Sequence, residues 1–264
     1  GDRYIGNWKN CLYEGFGILH YSDGSKYIGE WKNSLYEGIG ISYYQNGSKY
    51  IGEWKGGKKE GYGILYCSNG DDAGVAVLRV ELYGHGKSGG EFRNHTIYKW
   101  VTNALAVVHY AKSLDFVSDL YLCGHSQGGF LTMLVAGMCA DAFKAILPLS
   151  PALCIPDDAR KGSMLGSTFD PKHIPETITA PNWELSGDYA RVAQTIHVED
   201  EIARYEGPVL IIHGDADEAV PYGYSVKARK LYRNARLVTI EGDDHCFTKH
   251  VDQMAAAIRE FFAG

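Results

Sequence analysis

The sequence predicts an all-β antiparallel hairpin array followed by an α/β domain whose mainly parallel sheet is flanked by helices. Three observations carry that expectation. A unit of 23 residues recurs three times at the start of the chain, strand and helix patterns alternate from Gly74 onward, and the composition changes between the two stretches. Residues 1–70 hold 15 of the 32 glycines and 14 of the 33 aromatic residues, whereas all 8 prolines lie beyond residue 147. Two domains are expected, 1–70 and 71–264, in a chain of 264 residues that is long enough to bury a core.

The repeat is read from Tyr4-Ile-Gly-Asn-Trp8, Tyr27-Ile-Gly-Glu-Trp31 and Tyr50-Ile-Gly-Glu-Trp54. These are followed by Glu14-Gly-Phe-Gly17, Glu37-Gly-Ile-Gly40 and Glu60-Gly-Tyr-Gly63, and the units close with Asp23-Gly24, Asn46-Gly47 and Asn69-Gly70. Strand residues alternate between faces, so Tyr, Gly and Trp share one face, and the missing glycine side chain lets an aromatic of a neighbouring strand lie flat. Asp-Gly and Asn-Gly favour type I′ turns with positive φ at both central residues, so each unit is expected to be a hairpin. A lone hairpin is marginal in water, and the three must stack. The units resemble the MORN repeat over their full length. That resemblance implies an interaction role at a membrane surface or on a protein partner. The bland alternative is that the aromatics merely hold the sheet together, and 8 Lys+Arg against 7 Asp+Glu in residues 1–70 offer little to anionic lipid.

The whole chain carries 26 Lys+Arg and 32 Asp+Glu, a net charge of −6 that argues against nucleic acid as a partner. Cys11, Cys67, Cys123, Cys139, Cys154 and Cys246 form no CxxC pair. Neither a metal site nor a disulfide framework is expected, and free thiols fit a reducing, cytoplasmic setting. No stretch approaches the roughly 20 apolar residues of a membrane span. No cofactor is expected either: Gly86-Lys87-Ser88 would end a phosphate loop only with glycine at position 81, which is Glu81. The chain opens on Gly1 within a repeat and is expected to be part of something longer.

In the second domain, residues 75–80 read as a buried strand and 96–113 as a helix with Thr96 as its N-cap. A strand at 119–123 runs into an apolar helix at 127–139; further strands are expected at 145–149, 208–212 and 236–240, and a closing helix at 251–262. Residues 153–205 interrupt this rhythm with Pro156, Pro171, Pro175 and Pro181, and a loop-rich insertion of that length is read as a lid.

Gly124-His125-Ser126-Gln127-Gly128 has the Gly-x-Ser-x-Gly form of a nucleophile elbow in the required strand, turn and helix context. Small flanking residues are needed because the turn is tight, and Gly129 lets the helix approach the sheet. A serine nucleophile requires an acid and a base, in that order, after later strands. Asp217 follows the strand at 208–212, with Asp215 as its competitor, and His245 follows the strand at 236–240, with His250 as the fallback. His213 reads as a strand-end structural residue and His125 as packing.

Tyr83-Gly-His-Gly-Lys-Ser88, Gly124-His-Ser-Gln-Gly-Gly129, Leu149-Ser-Pro151, Phe169-Asp-Pro-Lys-His-Ile-Pro175, Arg191-Val-Ala-Gln194, His213-Gly-Asp-Ala-Asp217 and Asp244-His-Cys246 resemble the cinnamoyl/feruloyl esterase branch of the α/β-hydrolases. The resemblance implies that Ser126 attacks an ester carbonyl, His245 moves its proton, Asp217 holds the imidazole, and an acyl-enzyme forms. It places Asp158 and Tyr189 at positions that contact a phenolic ring. Gln127 is expected to give one oxyanion N–H. The family's early strands and the His-Gly-x-x-Gly loop with the second donor are not visible, since His85-Gly-Lys-Ser-Gly89 belongs to a different loop. The expected partner is a small aromatic or short acyl ester, and a homodimer is left open. The alternatives are an impaired hydrolase serving as a scaffold, or another α/β-hydrolase activity such as lipase, acyltransferase or peptidase.

Overall fold

The computed structural model describes all residues except 68–74, 87, 181–182 and 264, with backbone alone at 61–67, 75 and 76. The Asn69-Gly70 turn, the expected boundary at 70/71 and Pro181 lie outside the described residues. Two compact units form, Gly1–Gly89 and Gly90–Gly264.

The first unit is an antiparallel meander of β1 (Arg3–Lys9), β2 (Leu12–His20), β3 (Lys26–Lys32), β4 (Leu35–Tyr43), β5 (Lys49–Lys55), β6 (Lys58–Cys67) and β7 (Val75–Arg79), paired in chain order. The tight turns are not where the dipeptides suggested. Positive φ at both central residues occurs at Asn10-Cys11, Asn33-Ser34 and Gly56-Gly57, inside each unit. At Asp23-Gly24 and Asn46-Gly47 only the glycine has positive φ. The reason is local: the Asp23 and Asn46 side chains accept the N–H of Ser25 (2.8 Å) and Ser48 (3.0 Å), an Asx turn that keeps the first residue at negative φ within a longer loop.

Packing follows from the glycines. Tyr27 lies over Gly29 of its own strand and Gly40 of β4, where an added Cβ would strike its ring or hydroxyl, and it stacks on Tyr36 at 3.7 Å. The aromatic that covers Gly29 therefore comes from its own strand, whereas the one that covers Gly40 comes from the neighbouring strand. Trp31 stands edge-on to Tyr27 and Tyr36, and equally to Tyr4 and Tyr13 of the preceding repeat. Its Nε1–H donates to the Gly17 carbonyl at 3.2 Å, as Trp54 does to Gly40 at 3.3 Å. Glu14 and Glu37 reach the next repeat as well, accepting the N–H of Asn33 and Gly56 in its tight turn. Trp31 is 4 % exposed, whereas Trp8, on the edge strand β1, is 59 % exposed.

The strand at 75–79 corrects an expectation. It does not enter a parallel sheet; it pairs antiparallel with β6, Gly63 opposite Arg79 and Cys67 opposite Val75, and Val77 faces solvent. The end of the repeats leaves the outer edge of β6 with open N–H and C=O groups, and the adjoining extended segment satisfies them.

In the second unit α1 (Ile97–Lys112) is capped by Thr96, whose hydroxyl accepts the Lys99 N–H at 3.2 Å. There follow β8 (Tyr121–His125), α2 (Gln127–Met138), β9 (Ala145–Leu149) and α3 (Ile155–Lys161), the short ladders β10 (Ser163–Met164) with β11 (Ser167–Thr168) and β12 (Thr177–Ala180) with β13 (Trp183–Ser186), then α4 (Gly187–Gln194), α5 (Val198–Ile202), β14 (Val209–Gly214), α6 (Gly223–Leu231), β15 (Ala235–Ile240) and α7 (Val251–Ala263). Among the described residues, the insertion at 153–205 thus holds three helices and two ladders. The sheet runs β15-β14-β9-β8, all parallel. β14 is buried along its whole length, and Leu147, Leu210, Ile212 and Ile240 pack against Phe247 and Ala257. No helix among the described residues is long and apolar enough to cross a membrane.

Trp31→Ala should destabilise the hairpin array by about 3–5 kcal/mol, and Trp8→Ala by roughly 1 kcal/mol or less because its ring already faces solvent. Urea unfolding of the full chain followed by near-ultraviolet circular dichroism reads this. Equal losses for the two variants would show that the inter-repeat contact is not what holds the array.

Candidate active site

Parallel strands carry their carboxyl ends to one edge of the sheet, and the loops after β8, β14 and β15 meet there. Ser126 sits between β8 and α2 at φ 58°, ψ −120°, a conformation that costs a non-glycine residue about 1–3 kcal/mol. Backbone bonds hold it: its N–H donates to the Leu149 carbonyl at 2.9 Å, and its own carbonyl accepts Phe130 and Ala152 at 3.0 and 2.9 Å. A Cβ on Gly124 would strike the Gly128 carbonyl, and one on Gly129 would press on the Leu149 carbonyl. Gly128 has open space around it, so only one flank of the elbow is sterically restricted. The Ser126 hydroxyl makes no hydrogen bond among the described residues. Gln127 opens α2, so its N–H has no intrahelical acceptor and is free to face an oxyanion.

His245 and Asp217 are brought together. Nδ1 of His245 lies 2.6 Å from Asp217 Oδ2, and the carboxylate has no exposed surface while His245 keeps 19 % of its side chain exposed. Asp217 Oδ1 accepts the N–H of Ala219 and Val220, both at 2.8 Å. Burial pushes this carboxyl up, but those amides and His245 together hold it below the usual carboxylate range. Asp215, the competitor, instead accepts the Gly242 N–H at 2.6 Å. His250 offers its backbone N–H to Asp243. The loop carrying His245 is stiffened from within: Asp243, fully buried, accepts Asp244, Lys249 and His250, and Asp244 accepts Cys246 and Thr248.

Three residues that the sequence reading left as packing or passed over join this network. His125 donates from Nε2 to the His245 carbonyl at 2.6 Å, its ring 4.7 Å from the His245 ring. His213 and Ser225 sit behind Asp217, with His213 Nε2 at 2.9 Å from the same Oδ2. The signal for His213 was its place at the end of an apolar strand four residues before the acid, and nothing in the pattern pointed to Ser225.

Asp158 lies on α3, half-buried and beside Cys154, its carboxyl raised by that burial. Cys154 is pushed up to about 12 by burial, with the Asp158 and Asp217 charges adding to it. Tyr189 lies on α4 with no exposed surface; its hydroxyl has no partner among the described residues and its ring meets His95 edge-on at 5.0 Å. Cys154 is thus within electrostatic reach of Asp158, Tyr189 and Asp217.

Comparison with known proteins agrees with this architecture. A profile of the prolyl oligopeptidase family matches residues 66–263, and the MORN repeat matches 4–26, 27–49 and 50–72. Est1E from Butyrivibrio proteoclasticus, solved with ferulic acid bound, is 55% identical, with a TM-score of 0.71 over 72% of this chain and 77% of that one. The monoacylglycerol lipase of Paleococcus ferrophilus shares the fold at 20% identity and a TM-score of 0.56, over 72% of this chain and 83% of that one. The human protein ABHD12B is 26% identical over 167 residues, 62% of this chain, and the chain spans only 43% of that relative's length.

Gly124→Ala should lower the thermal midpoint by several degrees, since its Cβ meets backbone that cannot yield, whereas Gly128→Ala should leave the midpoint unchanged or raise it, helix position and open space both favouring alanine. Scanning calorimetry distinguishes the two. Comparable losses would mean that the elbow is not confined as described.

Proposed function

The chain belongs to the prolyl oligopeptidase family, its second unit an α/β-hydrolase with esterase neighbours and its first an array of MORN repeats, and from this premise we propose that it is a serine ester hydrolase of the cinnamoyl/feruloyl type. The observation that carries the reading is the His245–Asp217 pair beside a strained serine elbow at the carboxyl edge of a parallel sheet. Ser126 Oγ attacks the ester carbonyl as His245 Nε2 takes its proton; the Gln127 N–H faces the developing oxyanion. His245 then returns the proton to the departing alcohol, and the acyl-enzyme is released by water through the same base. Asp217, ionised and fixed by two amides, keeps Nδ1–H of His245 turned inward and stabilises the imidazolium.

The substrate class rests on likeness to Est1E, whose structure contains ferulic acid. Asp158 and Tyr189, flanking Cys154 in the insertion at 153–205, are the side chains proposed to meet the ring substituents, and the insertion to act as the lid. The MORN array is proposed to hold a protein or membrane partner. The free thiols Cys11, Cys123, Cys139, Cys154 and Cys246 support a cytoplasmic setting. A second reading comes from the sheet itself, which has four strands among the described residues. With one oxyanion amide in place of two, turnover falls roughly 10²–10³-fold, and the domain then serves chiefly as a binding module.

Purified protein should hydrolyse methyl ferulate and p-nitrophenyl acetate and take up one serine-directed phosphonate, with Ser126→Ala abolishing the label and lowering turnover by about 10³-fold or more. Labelling at Ser126 with barely measurable turnover is the outcome expected of the binding module. Absence of both in the wild type sinks the esterase reading, and hydrolysis that survives Ser126→Ala sinks the site assignment.

A further inference from the structure

We propose that His213 and Ser225 are a positioning pair that holds the Asp217 carboxylate in place and limits how strongly it binds the His245 imidazolium. The proposal rests on the reading of Asp217 and His245 as acid and base. Four groups form one line of hydrogen bonds: Ser225 Oγ to His213 Nδ1 at 2.7 Å, His213 Nε2 to Asp217 Oδ2 at 2.9 Å, and Asp217 Oδ2 to His245 Nδ1 at 2.6 Å. Ser225, His213 and the Asp217 side chain have no exposed surface. The line joins the end of β14 to α6 and to the loop after β15.

The protons in this line are assigned by chemistry. An ionised carboxylate only accepts, so His213 Nε2–H donates to Oδ2; with the ring neutral, Nδ1 accepts, and the Ser225 hydroxyl donates to it. Neutrality of His213 is required by charge balance. When His245 becomes an imidazolium during turnover, one buried negative charge already faces one positive charge, and a second cation on the same oxygen would be uncompensated. Burial favours the same state, holding His213 below the usual imidazole range. The other groups facing this line are His125 and Cys154, which interact with Asp217, the Tyr222 ring 5.6 Å from His213, and Asp243, whose carboxylate is turned to its own loop amides.

His213 is therefore a neutral donor on the far side of the acid. It takes up part of the electron density of Oδ2, so the carboxylate stays ionised and does not over-stabilise protonated His245. Removing that donor leaves Asp217 a stronger acceptor for the imidazolium, raises the affinity of His245 for its proton, and moves the acid limb of kcat/KM to higher pH. A residue that only packs would change stability or the amplitude of activity and leave the limb where it was.

His213→Leu should lower kcat/KM by about tenfold, the worth of a hydrogen bond to a charged group, with KM little altered and the acid limb moved up by roughly one pH unit. His213→Gln, whose amide N–H reaches about as far as Nε2, should return the limb to its wild-type position, and Ser225→Ala should shift it in the same direction by less. A limb that does not move in His213→Leu, or that moves equally in His213→Gln, overturns the proposal. Nitrogen chemical shifts of ¹⁵N-histidine in the wild type decide independently of activity and of how the variants fold. His213 should be the neutral Nε2–H tautomer at the pH where the enzyme is most active, and a cationic ring or the Nδ1–H tautomer there overturns it. A wild type with neither turnover nor phosphonate labelling defeats the esterase reading instead, and the tautomer then settles the pair on its own.

Discussion

One buried anion organises the second unit. Asp217 has no exposed side-chain surface, and a carboxylate removed from water survives only if donors replace its hydration. Its two oxygens accept four: Ala219 and Val220 N–H, His213 Nε2–H and His245 Nδ1–H. The two amides are local and fix the turn after β14; the imidazoles come from the end of β14 and from the loop after β15. Satisfying one charge thus aligns two loops that the parallel sheet has already brought to the same edge. The loop of His245 is held separately by Asp243 and Asp244, so the imidazole is delivered to Asp217 by a segment that is rigid without it.

The first unit solves a different problem with the same economy. An array of hairpins has no globular interior, so its core is a ladder in which Trp31 and Trp54 are each enclosed by tyrosines of two successive repeats. Glycines 29 and 40 are absent side chains that let Tyr27 lie flat. The Trp31 and Trp54 N–H each find a carbonyl of the preceding repeat, and Glu14 and Glu37 each cap the tight turn of the next. Each repeat is therefore complete only beside another, which the contrast between buried Trp31 and exposed Trp8 expresses directly.

Much of this was legible in the sequence because it is periodic or positional. Spacing of 23 residues located the hairpins, Thr96 marked the start of α1, and the strand ends pointed to Ser126, Asp217 and His245, of which the structure pairs the latter two. What escaped depends on contacts between segments far apart in the chain. The Asp-Gly dipeptides misled because a side-chain oxygen two residues before an amide competes with the turn they usually make. The strand at 75–79 misled because an apolar run of four residues says how a segment is built and not which edge it joins; β6 offered an unpaired edge. His213 looked like a strand-end residue, and its role emerged only once Ser225, 12 positions away, was found against its other nitrogen.

That last pair changes what kind of site this is. In a serine hydrolase the acid is usually discussed as the partner of one histidine, yet here a single oxygen serves two imidazoles. Two rings on one oxygen are compatible only if they differ in what they do with a proton. His245 is partly exposed and faces the elbow, where a proton can arrive and leave; His213 is sealed between β14 and α6 and faces a hydroxyl. The difference in burial is what separates them: desolvation penalises the charged form of the inner ring, whereas the outer ring keeps 19 % of its side chain exposed. On the proposed assignment, chemically identical side chains become a fixed donor and a mobile base because the fold exposes one and buries the other.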